Sequence, residues 1–266
     1  MCKKETLNQS ESNVNITVAQ RVLTIFYVLD TSGSMAGERI AKLNEAMNET
    51  VAILSDIAQR GADAEIRIAV MEFNSHCRWI TPEGPKNAND FFWNDLKAGG
   101  LTELGEALDE LYDKMTREKF MKSATGQYQP IVIFISDGAP TDDWEKSFEH
   151  LENTNRWFQV ATKIGIAFDT DTKVLSKLVG ESEAVIQTNN LEEFRRFIRF
   201  ISVTASLVNG RSRLEEDLKS GADIVREAKG DMYKKSEPEY FDPTTNPDPD
   251  TVGDPGSIWD TEGAGW

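Results

Sequence analysis

The residues in this sequence best suited to chemistry are oxygen donors, and they cluster by position. Asp30-Thr31-Ser32-Gly33-Ser34 sets a carboxylate and two hydroxyls directly after an apolar run over 22–29. Asp137 closes a second such run and precedes Gly138, and Thr102 follows Gly99-Gly100-Leu101 at the mouth of a helical pattern. In an open parallel sheet, functional groups gather at the carboxyl ends of strands. Asp30, Ser32, Ser34, Thr102 and Asp137 are therefore expected to converge on one spot. Their atoms are hard oxygen donors, which suit Mg²⁺ or Mn²⁺ and not zinc. Gly33 leaves room for a close backbone approach. None of these residues is a nucleophile with a base beside it, as covalent catalysis requires. Alone, the Asp30–Ser34 stretch would read as a turn with Asp and Ser capping a helix. The three junctions together give it its weight.

The elements that must position these donors follow from periodicity. Runs over 22–29, 66–73, 131–135, 160–168 and, more weakly, 184–188 are rich in Val, Ile and Phe and mostly apolar on both faces, as buried parallel strands are. Ile40, Leu43, Met47, Val51, Leu54 and Ile57 recur at steps of three or four and line one helix face. Leu104, Leu108, Leu111 and Met115 do the same, and further helices are expected over 144–151, 172–178 and 191–207. Alternation of this kind predicts an α/β fold, doubly wound and Rossmann-like, with a mostly parallel central sheet and helices on both faces. Residues 77–80 read as an antiparallel edge strand hairpinned onto 66–73.

Composition bounds the function. The chain has 266 residues, 39% hydrophobic and 28% charged, with 29 Lys+Arg against 45 Asp+Glu and a net charge of −16. That balance argues against gripping nucleic-acid phosphates or an anionic membrane surface, both of which need a basic surplus. Two cysteines make no disulfide framework. No apolar stretch approaches the roughly 20 residues of a membrane span, and the polar start lacks a secretory core, so a cytoplasmic location is expected. By texture the chain divides into a polar leader (1–20), the α/β domain (21–208) and a C-terminal extension (209–266). A polar helix is expected over 212–227. Residues 236–266 hold five of the nine prolines, eight acidic residues and no Lys or Arg, and read as a flexible acidic tail. Its tryptophans, Trp259 and Trp266, suit a short docking motif.

The set Asp30, Ser32, Ser34, Thr102 and Asp137 resembles the metal-ion-dependent adhesion site of the von Willebrand factor type A (VWA) family, with its DxSxS pattern, later threonine and later aspartate. Within that family, the stretches 99–108 and 136–142 are similar to the bacterial intracellular branch that includes the tellurium-resistance-associated TerY-like proteins. The resemblance implies a non-enzymatic interaction module. Its Mg²⁺ or Mn²⁺ would be held by the serines and threonine and tuned by the aspartates, and an Asp or Glu carboxylate of a partner protein would complete the coordination. It also implies a bacterial stress-response or signalling complex with a protein kinase and a PP2C-type phosphatase.

A rival reading is enzymatic. Asp169-Thr170-Asp171-Thr172-Lys173 follows a strand and resembles the haloacid-dehalogenase phosphatase motif, with Asp169 as nucleophile and Mg²⁺ alongside. Lys173 departs from that motif, and capping by Thr170 or Asp171 accounts for the same residues. Asp142 and Asp143 are expected to cap the helix from Trp144. Phe91, Phe92 and Trp93 form either an exposed rim or core anchors. Cys77 reads as a small buried residue, and His76 and His150 as ordinary surface or packing residues.

Overall fold

In the computed structural model, residues 20–60, 64–211 and 219–236 are described. The polar leader and the acidic tail expected from the sequence lie outside them, except for Gln20 and Ser236.

Seven strands form one sheet: β1 (Arg21–Asp30), β2 (Ala64–Phe73), β3 (Cys77–Trp79), β4 (Lys86–Asn87), β5 (Ile131–Ser136), β6 (Thr162–Phe168) and β7 (Val185–Thr188). Their order is β3-β2-β1-β5-β6-β7, with β4 also paired to β2. The central pairs are parallel: β1 runs beside β2 from Arg21↔Ala64 to Asp30↔Phe73, and beside β5 from Ile25↔Ile131 to Leu29↔Ile135. β5–β6 and β6–β7 continue in parallel. β3 is antiparallel to β2 at its carboxyl end, Met71–Phe73, and β4 pairs antiparallel with Arg67 and Ile68 midway along it. Nine of the ten residues of β1, and all six of β5, are buried. Both faces of these strands are covered, which explains why they lack polar alternation.

The helices are α1 (Glu38–Gln59), α2 (Leu104–Lys114), α3 (Glu145–Thr154), α4 (Arg156–Val160), α5 (Lys173–Val179), α6 (Leu191–Arg211) and α7 (Gly221–Ser236). α1 packs against α6, and α2 against α3. Phe26 and Val28 of β1 join Val132 and Phe134 of β5 under Leu108 and Leu111 of α2. Successive strand residues alternate between faces, so Ile25, Tyr27 and Leu29 point to the opposite side, where α6 meets β1, β2 and β6. This is the doubly wound α/β architecture expected from the sequence. Among the described residues, no helix is long and apolar enough to cross a membrane. The described residues up to Lys229 form one compact unit, and those from Gly230 belong to a second.

Four boundaries differ from expectation. The strand expected from 160 starts at Thr162, because the Asn155 side chain accepts from Phe158 N–H (3.0 Å) and initiates the short helix α4. The same amide donates to the carbonyls of Tyr112 (3.1 Å) and Met115 (3.2 Å), tying α4 to the end of α2. Ala184 belongs to a 3-10 turn leading into β7. β4, two residues long, gave no periodic signal. The helix expected over 212–227 is α7, which runs from Gly221 to Ser236, so the first residue assigned to the tail is helical; residues 212–218 lie outside the described ones.

Candidate metal centre at the carboxyl edge of the sheet

β1 delivers Asp30, fully buried, to the carboxyl edge of the sheet. One carboxylate oxygen accepts from Ser32 N–H (2.8 Å) and folds the next loop back over the strand end. The other accepts from the Ser136 hydroxyl (2.6 Å), at the end of the neighbouring strand β5. Burial pushes the Asp30 carboxyl above the usual carboxylate range, against the hydrogen bonds from Ser136 and Ser32, and the charge of Asp137 adds to the rise.

The loop then turns through a 3-10 segment, Gly33–Met35, before α1 begins. The Ser32 and Ser34 hydroxyls lie 3.0 Å apart, and Ser34 donates to Asp137 Oδ1 at 2.7 Å. Asp30, Ser32, Ser34 and Asp137 thus line one continuous patch of oxygen atoms at the junction of β1 and β5. This is where the strand order switches direction, the place where open α/β sheets bind ligands.

Thr102 reaches the same edge through its backbone. Gly33 N–H donates to Gly100 O (3.0 Å) and Gly99 N–H to Thr31 O (2.8 Å), stitching the two loops together. A Cβ on Gly33 would stand 3.2 Å from Gly100 O, so only glycine permits this approach without displacement. Gly100 has φ +85° against Ser75, which needs glycine for a second reason. Thr102 is nearly buried, and it lines one small cavity together with Ser136 and Gly138. Its carbonyl accepts from Thr141 N–H (2.8 Å).

Two participants were not singled out from the sequence. Ser136 buttresses Asp30, and its only sequence signal is its place at the last position of a strand. Arg39, at the start of α1, donates to Asp137 Oδ2 (2.7 Å) and to Asp169 Oδ2 (2.7 Å). The signal for Arg39 was a basic residue in the first turn of a helix, where the helix dipole favours acids.

The expectations for Asp142, Asp143 and Cys77 are corrected here, and the other residues singled out from the sequence find their places. Asp142 does not cap the helix that follows it. Its two oxygens accept from Leu104 N–H (3.0 Å) and Gly105 N–H (2.7 Å), capping α2 instead. Asp143 pairs with Lys146. Phe91 is buried, and the Trp93 indole donates to Asn44 (3.3 Å), which leaves Phe92 as the exposed member of that trio at 79%. Cys77 is half-buried, and burial beside Glu106, Glu110 and Asp109 pushes its thiol up to about 12. His76 is exposed, and His150 stacks on Tyr112 at 4.3 Å. Asp171 accepts from Lys173 N–H (3.0 Å) at the start of α5, and Asp169 is held in the left-handed region at φ 50°.

Comparison with known proteins gives the context. Residues 25–139 match the family model of the von Willebrand factor type A domain, a span that includes the five candidate positions. The chain is 27% identical over 173 residues to human inter-alpha-trypsin inhibitor heavy chain H2, covering 61% of this chain and 17% of that protein. The mouse protein matches to the same extent. This chain therefore spans a small part of the curated relatives. Among solved structures, it is similar to a von Willebrand factor type A protein from Catenulispora acidiphila, with a TM-score of 0.52, 16% identity, and coverage of 71% of this chain and 43% of that one. Proximal thread matrix protein 1 from the mussel byssus, solved with a zinc-occupied MIDAS motif, gives a TM-score of 0.52 at 18% identity over 68% of this chain and 47% of that one. The pilus adhesin SpaC from Lactobacillus rhamnosus GG gives 0.54 at 10% identity over 71% and 31%. Over residues 25–139 the chain is thus similar to the von Willebrand factor type A domain family, and its doubly wound sheet has the fold of these solved structures.

Proposed function

We propose that Asp30, Ser32, Ser34, Thr102 and Asp137 hold a divalent cation, Mg²⁺ or Mn²⁺, and that the chain uses it to bind an acidic group of a partner protein. The observation that carries this reading is the hydrogen-bonded run from Ser32 through Ser34 to Asp137 beside Asp30, at the switch point of the sheet. The donor set fits such an ion. It consists of hydroxyl and carboxylate oxygens held by backbone contacts, with two carboxylates to balance the charge. Bound there, the ion would supply an open coordination position that an Asp or Glu of the partner completes.

Each residue has a distinct part in this scheme. Asp30, engaged on both oxygens, shapes the loop and sets negative charge beneath it. Ser32 and Ser34 present neutral hydroxyls, and Thr102 adds a third from the loop stitched alongside. Asp137 faces Ser34 with Oδ1. The VWA family as a whole consists of metal-dependent protein-interaction modules, which supports a non-enzymatic role. The phosphatase alternative has less support, because Asp169 is paired with Arg39 and Asp171 caps α5.

The physiological setting we propose is the bacterial cytoplasm, in a TerY-like stress-response or signalling complex with a protein kinase and a PP2C-type phosphatase. Affinity capture from the native host, with Mg²⁺ and with EDTA, tests the reading. Partners retained with Mg²⁺, released by EDTA and absent with Ser32→Ala support it. Capture indifferent to EDTA and to Ser32→Ala overturns it.

A further inference from the structure

The Asp137 carboxylate is shared. Ser34 takes Oδ1, and the Arg39 guanidinium takes Oδ2 at 2.7 Å, with the Asp137 side chain fully buried. The second Arg39 amine holds Asp169 at 2.7 Å, and the guanidinium carbon lies 5.1 Å from the centre of the Phe168 ring. Two features here run against local preference. Arg39 puts a positive charge in the first turn of α1, where the helix dipole opposes it. Asp169 adopts φ 50°, the one positive φ among the described non-glycine residues. Both departures serve the same bridge, Asp137–Arg39–Asp169, which spans the carboxyl ends of β5 and β6.

From this we infer that Arg39 is an internal competitor for the divalent ion, lowering the affinity of the site, and that Asp169 tempers the competition by drawing part of the guanidinium away from Asp137. The inference rests on the metal-binding reading above. An ion that draws on Asp137 must share that carboxylate with a full positive charge a few ångströms away, and like charges at such a distance weaken binding. Removing the guanidinium leaves Asp137 positioned, because β5 carries its backbone and Ser34 still donates to Oδ1. Loss of competition therefore outweighs loss of orientation. Removing the Asp169 charge does the reverse, since Arg39 then has Asp137 as its remaining carboxylate in this bridge. Such a site would respond to ion concentration and not stay saturated.

The test is a calorimetric titration with Mn²⁺ of the full chain and of Arg39→Met, Arg39→Gln, Asp169→Asn, the double variant Arg39→Met/Asp169→Asn, and Ser32→Ala. Both Arg39 variants should bind Mn²⁺ about tenfold more tightly than the parent chain. Asp169→Asn should bind several-fold more weakly, and its effect should shrink in the Arg39→Met background, the signature of coupling through the guanidinium. Arg39 variants that bind Mn²⁺ no better than the parent overturn the inference, even with Ser32→Ala abolishing binding and the metal site standing. If instead Ser32→Ala binds Mn²⁺ like the parent, or no variant binds at all, the metal site itself is overturned, and the inference with it.

Discussion

Asp142 shows how a single side chain can organise this edge from a distance. Its carboxylate receives the first two free N–H groups of α2 from 37 and 38 residues along the chain, so the helix that follows Thr102 is capped by the loop that follows Asp137. Charge-assisted bonds of this kind at a helix start are strong, and loss of a cap costs about 1–2 kcal/mol. Asp142→Ala should lower the unfolding free energy by about that much. A denaturant titration will show it as a lower midpoint with an unchanged slope. Cys77 gives a second residue-level prediction. With its thiol pushed up to about 12, the thiolate is scarce at pH 8. Peptide mapping after iodoacetamide treatment at pH 8 should find Cys77 alkylated far more slowly than an ordinary free thiol. Glu106→Gln should speed the reaction by relieving negative charge.

At the scale of elements, the reason a helix could be read from sequence, or not, is physical. The central strands were legible because burial on both faces leaves a continuous apolar run, and α1 because its core-facing residues recur at helical spacing. α4 was not legible. Its cause is one asparagine bonded to carbonyls 40 and 43 residues away, which turns the start of an apolar run into helix. β4 was hidden because two residues carry no period. At the site, the donors announced themselves by type and position, whereas Ser136 and Arg39 act through partners that only the folded sheet brings near. α7 adds a prediction of its own. A Cβ on Gly221 would sit 2.2 Å from the Lys163 carbonyl on β6, and a backbone atom cannot swing aside as a flexible side chain can. Gly221→Ala should therefore cost about 1–3 kcal/mol, as overpacking does. Gly230→Ala, with open space around it, serves as the control and should not destabilise the fold.

For the whole molecule, the proposed ion is a stability effector. An ion bound only by the folded state at a hundred times its dissociation constant adds about 2.7 kcal/mol, roughly 5–10 °C in melting temperature for a domain of this size. Mg²⁺ or Mn²⁺ should raise the melting temperature accordingly. EDTA should reverse the rise, and Ser34→Ala or Thr102→Ala should abolish it with the fold intact. A melting temperature indifferent to all of these would leave the site without a cation. The fold should form without the ion, because the apolar layers on both faces of the sheet supply the core.

The seam between β1 and β5 also sets an order in time. Ser34 and Asp137 are 103 residues apart, and Asp30 and Ser136 are 106 apart, yet they meet across one strand pairing. Such a long-range closure is expected late in folding, after the more local β1–α1–β2 unit, because its loop-closure entropy is larger. A cation then has nothing complete to grip until the barrier is largely crossed. Adding Mg²⁺ to stopped-flow refolding should leave the folding rate nearly unchanged, while the unfolding rate falls by the whole factor that binding adds to the equilibrium. The cation would lengthen the lifetime of the native state without helping the chain to reach it.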